Sequence, residues 1–363
     1  MRIITNRSDL LESINIVQKS VPSKTTLPIL EGILFQAKNG KLTLTSTDLE
    51  MGIETTIDVD VIEPGNTVVS SKIIGEIVRK LPDSDIELET KDNFVYIKSE
   101  HSQAKILSLP TEEFPELPNV DREMGLSLTN STLKEMIKQT IVAVSNDEIR
   151  PILTGVLMEV DGSNITMVAL DGFRMAVRVA KALNDQSFKA VIPGKTLVEI
   201  AKILDDSEDP VSIFVSRNQV LFHIGNTTVV SRLLEGEFIN YKQLIPSEYK
   251  TKIVINKNNF MDACDRAALF ARESNNSIKL EIFDDVMNIK SNSEYGDVHE
   301  EINISKTGED IEIAFNPRYL MDALKVINNE EVTVEFTTSV SPSIIKPLKD
   351  QDFLYLVLPV RRR

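Results

Sequence analysis

The chain is predicted to be an α+β protein built from three similar units, each with two helices packed on antiparallel sheets. Three observations predict this. An amphipathic helical segment occurs three times at constant spacing, a short apolar motif recurs at that same spacing, and the intervening stretches alternate in strand fashion.

The helical segment is first met as Ser70-Ser-Lys-Ile-Ile-Gly-Glu-Ile-Val-Arg-Lys-Leu81. Offset by 123 residues stands Pro193-Gly-Lys-Thr-Leu-Val-Glu-Ile-Ala-Lys-Ile-Leu204, and a further 123 on, Asn316-Pro-Arg-Tyr-Leu-Met-Asp-Ala-Leu-Lys-Val-Ile327. Ser70, Pro193 and Asn316 occupy helix-start positions. Each copy leads through a polar loop into a strand, at Ile86-Glu-Leu-Glu89, Val211-Ser-Ile-Phe-Val215 and Val332-Thr-Val-Glu-Phe336. The apolar motif Pro28-Ile-Leu-Glu-Gly32 returns as Pro151-Ile-Leu-Thr-Gly155, and Asp48 through Met51 returns loosely as Asp171 through Met175. An earlier helix is expected in each unit, over 7–20, 131–145 and 257–272, the third displaced by a small insertion. Asn39-Gly40 and Asp161-Gly162 are hairpin signals. Each unit thus holds two helices and roughly eight strands, a common domain size. Boundaries are expected at the Pro-rich stretch Phe114–Pro118 and near Pro246–Tyr249, giving domains 1–121, 122–247 and 248–363.

On the repeated helix, Lys72, Glu76 and Arg79 share one face, and Ile74, Ile77, Val78 and Leu81 the other. The stripe recurs as Lys195, Glu199, Lys202 and as Arg318, Asp322, Lys325. The six predicted helices hold 14 Lys and Arg against 8 Asp and Glu, a net of +6, which leaves −21 for the rest of a chain whose total is −15. Basic helices against an acidic remainder suit a weakly positive surface for phosphates, with sequence-independent and salt-sensitive binding. The plainer reading is that Lys and Arg are good helix formers on solvated faces. The acidic total alone argues against nucleic acid, so the distribution decides.

The chemistry of catalysis is poorly represented. His101, His223 and His299 are scattered, and the acidic run Asp205–Asp209 follows directly on a helix end. Asp171-Gly172 reads as a turn, and no phosphate-cradling glycine loop occurs. No enzyme activity, metal or cofactor is expected. The single cysteine, Cys264, aligns with Ile14 and Ile137 and is assigned to the core; it permits no internal disulfide, which fits a reducing cytoplasm. No stretch approaches the ~20 apolar residues of a membrane span, and no signal-peptide core follows the N-terminus, so the chain is expected to be cytoplasmic.

Thr26-Leu-Pro-Ile-Leu30, Leu44-Thr-Ser-Thr-Asp-Leu-Glu50, Ala169-Leu-Asp-Gly-Phe-Arg-Met175, Phe315-Asn-Pro-Arg-Tyr-Leu320 and Leu358-Pro-Val-Arg361 resemble the bacterial beta sliding clamps, the processivity subunits of replicative DNA polymerase. They run in that family's order over essentially the whole chain. The resemblance implies three clamp domains per protomer and a head-to-tail homodimer closing a pseudo-sixfold ring around duplex DNA. It implies partners that bind through short linear motifs: the replicative polymerase, the clamp loader and repair proteins. The implied motif pocket is walled by Leu153, Leu170, Gly172, Phe173, Arg174, Met175, Leu244, Leu356 and Leu358, with Arg174 as a hydrogen-bonding rim. Replacing Met175 and Leu358 by Ala is expected to abolish motif binding and leave the fold intact. The chain departs from the family pattern at Leu170, Phe173, Ile239 and Gln243. The implied dimer seam joins Ala104 and Ile106 to Leu269 and Phe270 of a second copy, with Lys72, Glu300 and Glu301 as flanking charges. DNA-facing candidates, taken from the stripe and the resemblance, are Lys24, Arg79, Arg150, Lys195 and Lys202. The competing reading is a repeated α+β protein-binding scaffold with no topological link to DNA.

Overall fold

A computed structural model describes residues 1–182, 186–271 and 275–361. In the first repeat the elements are β1 (Arg2–Asn6), α1 (Arg7–Val17), β2 (Gly32–Lys38), β3 (Lys41–Thr47), β4 (Met51–Asp58) and β5 (Asp60–Glu63). There follow β6 (Gly65–Ser70), α2 (Ser71–Lys80), β7 (Asp85–Lys91), β8 (Phe94–Ser99) and β9 (Ser102–Leu109). The second repeat holds β10 (Gly125–Thr129), α3 (Asn130–Ile141), β11 (Gly155–Asp161), β12 (Asn164–Leu170) and β13 (Arg174–Lys181). It continues with β14 (Ser187–Pro193), α4 (Gly194–Ala201), β15 (Pro210–Val215), β16 (Gln219–Ile224) and β17 (Thr227–Arg232). In the third stand β18 (Thr251–Asn256), α5 (Lys257–Ala271), β19 (Ile278–Phe283), β20 (Val286–Ser293) and β21 (Gly296–Asn303). The chain ends through β22 (Ser305–Gly308), β23 (Ile311–Phe315), α6 (Pro317–Val326), β24 (Glu331–Phe336), β25 (Ser343–Pro347) and β26 (Phe353–Val357).

All six predicted helices are present, and their ends follow local chemistry. Asn6 and Asn316 cap α1 and α6 by accepting from the N–H groups of Ser8 and Arg318, whereas Ser70 precedes α2 without a side-chain capping bond. Two helices stop early: α3 ends at Ile141 and α4 at Ala201, so Lys202 lies just past its helix. The last residue predicted for the fifth helix, Arg272, falls outside the described residues. Asn39 and Gly40 both take positive φ, 54° and 73°, the requirement of a tight hairpin turn matching strand twist. At the other hairpin Asp161 pairs with Asn164, so the turn is Gly162-Ser163, one residue later than the dipeptide signal suggests.

Two compact units form, and they do not coincide with the repeats. The first comprises Met1–Ser131 and Glu199–Leu233, the second Thr132–Val198 and Leu234–Arg363. A 13-stranded sheet runs through the first in the order β10-β15-β16-β17-β4-β3-β2-β6-β9-β8-β7-β1-β5. Repeats one and two meet inside it where β17 pairs antiparallel with β4, from Thr227↔Thr55 to Ser231↔Met51. Leu10, Ile14 and Val17 of α1 and Ile74 and Val78 of α2 are buried. Gly75 lets the helices close up: a Cβ there would stand 2.5 Å from the Gln18 amide nitrogen, which donates to the Ser71 carbonyl. Lys72, Glu76 and Arg79 face outward, as the stripe predicts.

The second unit holds a nine-stranded sheet, β14-β11-β12-β13-β26-β25-β24-β18-β22, and a four-stranded one, β21-β20-β19-β23. Repeats two and three meet where β13 pairs with β26, from Arg174↔Val357 to Arg178↔Phe353. Phe260, Ala263, Cys264 and Ala267 of α5 are buried against α6 and β20. Burial pushes the Cys264 thiol well above its ordinary value, so it stays a protonated core group.

Candidate partner-binding pocket and open strand edges

In the second unit most of the residues expected to wall the pocket gather around one turn. Between β12 and β13, the Asp171 carboxylate accepts from the N–H groups of Phe173 and Arg174 at 2.9 and 3.1 Å. Gly172 sits at φ +90°, a conformation an L side chain adopts only under strain. The turn leaves Phe173 58% exposed, its ring 6.1 Å from that of Tyr319 on α6. Leu358, also exposed, is fixed beside it because its N–H donates to the Phe173 carbonyl at 2.8 Å. Leu244, 44% exposed, comes from the 3-10 turn Tyr241–Leu244. Its anchor is Tyr241, a buried side chain whose hydroxyl donates to Glu159 at 2.7 Å. Burial opposes ionisation of Glu159, but hydrogen bonds from Lys189, Tyr241 and Lys242 outweigh it and bring the carboxyl down to about 2. Burial and that same carboxylate raise Tyr241.

Two expectations for this pocket need correction. Leu153, Leu170, Met175 and Leu356 are not open walls; each is at most 4% exposed and belongs to one apolar cluster with Leu157, Val177 and Tyr241. They pack together in the core, and loss of the Met175 side chain is therefore expected to disturb the fold. Arg174 is not a free rim donor either. Its guanidinium reaches Asp171 at 2.9 Å and Asp322 at 2.5 Å and lies 4.6 Å over the Tyr319 ring. Burial opposes its charge, yet Tyr355, Asp322 and Asp171 more than compensate, so it stays a cation tying β13 to α6. Asp322 is thereby drawn out of the exposed stripe that the sequence suggests.

Among the strand edges left without partners in the described residues are those of β9 and β21. β9 pairs with β6 only through Ser108 and Leu109, so Ser102–Leu107 is bonded on one side alone, to β8. β21 lies at the margin of the four-stranded sheet, bonded only to β20. The residues expected at a seam cluster here: Ala104 is half-buried and Ile106 buried on β9, and Lys72 is exposed on α2. Near β21, Leu269 is 65% exposed and Phe270 packs beside Gly296. Glu301 is exposed, but Glu300 already accepts two hydrogen bonds from Arg266, at 2.8 and 2.6 Å, which lower its pKa. Glu300 thus already has an ion-pair partner within its own protomer.

Family models for the N-terminal, central and C-terminal domains of the DNA polymerase III beta subunit match residues 1–118, 127–240 and 242–361. The chain belongs to the beta sliding clamp family. The beta sliding clamp of Staphylococcus epidermidis RP62A is 39% identical over 374 residues, and that of Staphylococcus aureus Mu50 is 40% identical over 375, each alignment covering 99% of both chains. The crystal structure of the Bacillus subtilis DNA polymerase sliding clamp matches over all of both chains with a TM-score of 0.96 at 38% identity. The Thermotoga maritima DNA polymerase III beta subunit does so with 0.95 at 31%. A DNA sliding clamp function follows from this membership, with the three-domain clamp fold of helices on antiparallel sheets.

Of the basic residues that the sliding-clamp resemblance singles out, Lys24, Arg79, Arg150, Lys195 and Lys202 are all exposed. Arg79 donates to Asn15 at 3.3 Å and Lys202 to Glu199 at 2.7 Å. In the first unit Lys202 shares a groove of about 370 Å³ with Arg7 of α1 and Lys19 of the 3-10 turn that follows it, two cations that the helix stripe did not single out. Arg7 is partly spent on structure, since it donates to the carbonyls of Val78 and Arg79. His101, His223 and His299 are exposed, and no group of three metal-type ligands occurs among the described residues. The acidic run is a turn: Asp205 accepts from the Ser207 N–H and from the Asn130 side chain, and hydrogen bonds from Ser207 first, then Asn130, hold its carboxyl below the usual range. No helix among the described residues is long and apolar enough to cross a membrane.

Proposed function

We propose that two copies of this chain close head to tail into a ring around duplex DNA, with domain boundaries after residues 121 and 247. The observation that carries this reading is a shared register. At the β4–β17 seam Met51 faces Ser231, and at the β13–β26 seam Arg174 faces Val357. Met51 and Arg174 are equivalent, since each is the residue whose N–H closes an aspartate turn, on Asp48 and Asp171. The corresponding strand of repeat three is β21, beginning at Gly296, and the corresponding partner in repeat one is β9. Counting from the tight hairpins that precede β9 and β17, Ile106 stands where Ser231 does. The third seam, between copies, is therefore expected to set Gly296 opposite Ile106, Val298 opposite Ala104 and Asp297 opposite Lys105. The same register brings Leu107, 58% exposed, against Tyr295, 84% exposed. Those two exposed apolar side chains are explained together, and two open sheet edges that would otherwise invite aggregation are closed. Two-fold symmetry makes the seam occur twice per ring.

With a total charge of −15, tight direct affinity for DNA is disfavoured, and enclosure supplies the persistence that contact does not. The pocket of Phe173, Leu244 and Leu358 over its buried floor takes short apolar motifs from the replicative polymerase, the clamp loader and repair proteins. The chain acts in the cytoplasm and catalyses no reaction of its own. A cross-seam disulfide tests the register. Facing Cα atoms on paired strands lie about 4.5–5.5 Å apart, within disulfide reach. Ala104→Cys with Val298→Cys should give a covalent dimer on non-reducing gels, and Ala104→Cys with Glu301→Cys should not. Equal yields from both pairs, or none from the first, would contradict the register. Cys264, being fully buried, does not compete.

A further inference from the structure

The first unit carries a second apolar groove, of about 310 Å³, whose lining includes Leu27, Ile29, Leu49, Leu109, Pro110 and Pro115. That volume is within the range of small ligand sites. Its mouth is built in an unusual way. Asp48 accepts from the N–H groups of Glu50 and Met51, as Asp171 does in the second repeat, and the residue between is held left-handed. In the second repeat that residue is Gly172; in the first it is Leu49, at φ 74°, a conformation uncommon for a residue with a side chain. Strain of this kind persists where the display of the side chain is useful. Here it holds an exposed leucine opposite another, Leu27, at the entrance to an apolar slot.

The electrostatics differ from those of the Phe173 pocket. No Lys or Arg lines the groove, Glu113 does, and Glu31, Glu112 and Glu116 stand exposed next to lining residues. Glu50 is paired with Arg232 at 3.5 Å. We propose that this groove is a second docking site, for a short extended peptide segment that carries two neighbouring large apolar side chains flanked by Lys or Arg. The apolar pair fills the slot, and the carboxylate rim selects the basic flanks and rejects acidic ones. The site stands on the first repeat alone and does not depend on the reading of the Phe173 pocket.

The test uses the full chain with leucine methyl groups labelled for NMR, titrated with the synthetic peptide Lys-Lys-Leu-Phe-Lys-Lys. The methyl signals of Leu27, Leu49 and Leu109 should move saturably, and the same peptide with Glu in place of Lys should leave them still. Leu49→Gly installs the residue that the second repeat uses in this conformation, so it should fold with an unchanged or higher Tm and weaken the peptide at this groove by about tenfold or more. Leu244 and Leu358 report the other pocket separately, so failure at one site is distinguishable from failure at the other. Unmoved first-repeat methyls, equal response to the Glu-flanked peptide, or equal affinity in Leu49→Gly would overturn the proposal. A change of subunit stoichiometry in Leu49→Gly would also overturn it, because the groove would then belong to a contact between copies.

Discussion

Leu107→Asp offers a sharp perturbation of the seam between copies. Leu107 ends the open edge of β9 and faces solvent over 58% of its surface in the single chain, so the substitution should spare the fold. Complete burial of a leucine side chain is worth about 1.5–3 kcal/mol, so covering the exposed part against Tyr295 contributes about 1–1.7 kcal/mol per seam. Each ring has two seams, which makes the lost apolar contribution about 2–3 kcal/mol. A carboxylate held against the tyrosine adds a desolvation cost of about 1–3 kcal/mol at each seam. The dimer Kd should therefore rise at least about a thousandfold. Sedimentation equilibrium or light scattering over a dilution series measures this, with circular dichroism checking that the fold persists. A Kd within about threefold of the parent would refute both the register and the juxtaposition of Leu107 with Tyr295.

The pocket should separate into rim and floor. Leu244→Ala with Leu358→Ala should weaken a motif peptide by about tenfold or more in fluorescence anisotropy at unchanged Tm, whereas Met175→Ala should destabilise the chain by about 2–5 kcal/mol in urea unfolding. Glu159, held near 2 against an ordinary 4.5, contributes stability that is present above about pH 4.5 and is lost as pH falls towards 2. Removing one of its donors by Tyr241→Phe should move the acid-unfolding midpoint, followed by circular dichroism, to higher pH. Replacing Lys24, Arg79, Arg150, Lys195 and Lys202 together by Gln should shorten retention on DNA and flatten its dependence on salt; unchanged salt dependence would remove them from the DNA-facing surface.

Features set by a few neighbouring residues were legible before the structure. Asn39-Gly40 marks a turn because both residues must take positive φ, and the stripe of Lys72, Glu76 and Arg79 follows from helical period alone. The Asp171 turn and the core position of Cys264 were readable for the same reason, each having equivalents one repeat away. What escaped depends on distant partners. Glu159 and Tyr241 are 82 positions apart, and nothing near either residue announces the bond that steadies Leu244. Met175 and Leu244 belong to the same apolar alphabet, so only the packing shows which is buried and which is exposed. Arg174 reads as a surface cation until Asp322 and Tyr319 are brought beside it. Leu107 and Tyr295 look like isolated exposed residues until the register of two completed seams is carried to the third.

The central claim is that the chain is held on DNA by enclosure. The protein would be loaded onto nicked circular DNA with a bacterial clamp loader and ATP, and half the sample then linearised at moderate salt. Enclosure predicts retention on the circles and rapid loss over the free ends of the linear molecules. Equal retention on both would contradict it, because the chain would then be bound by contact alone.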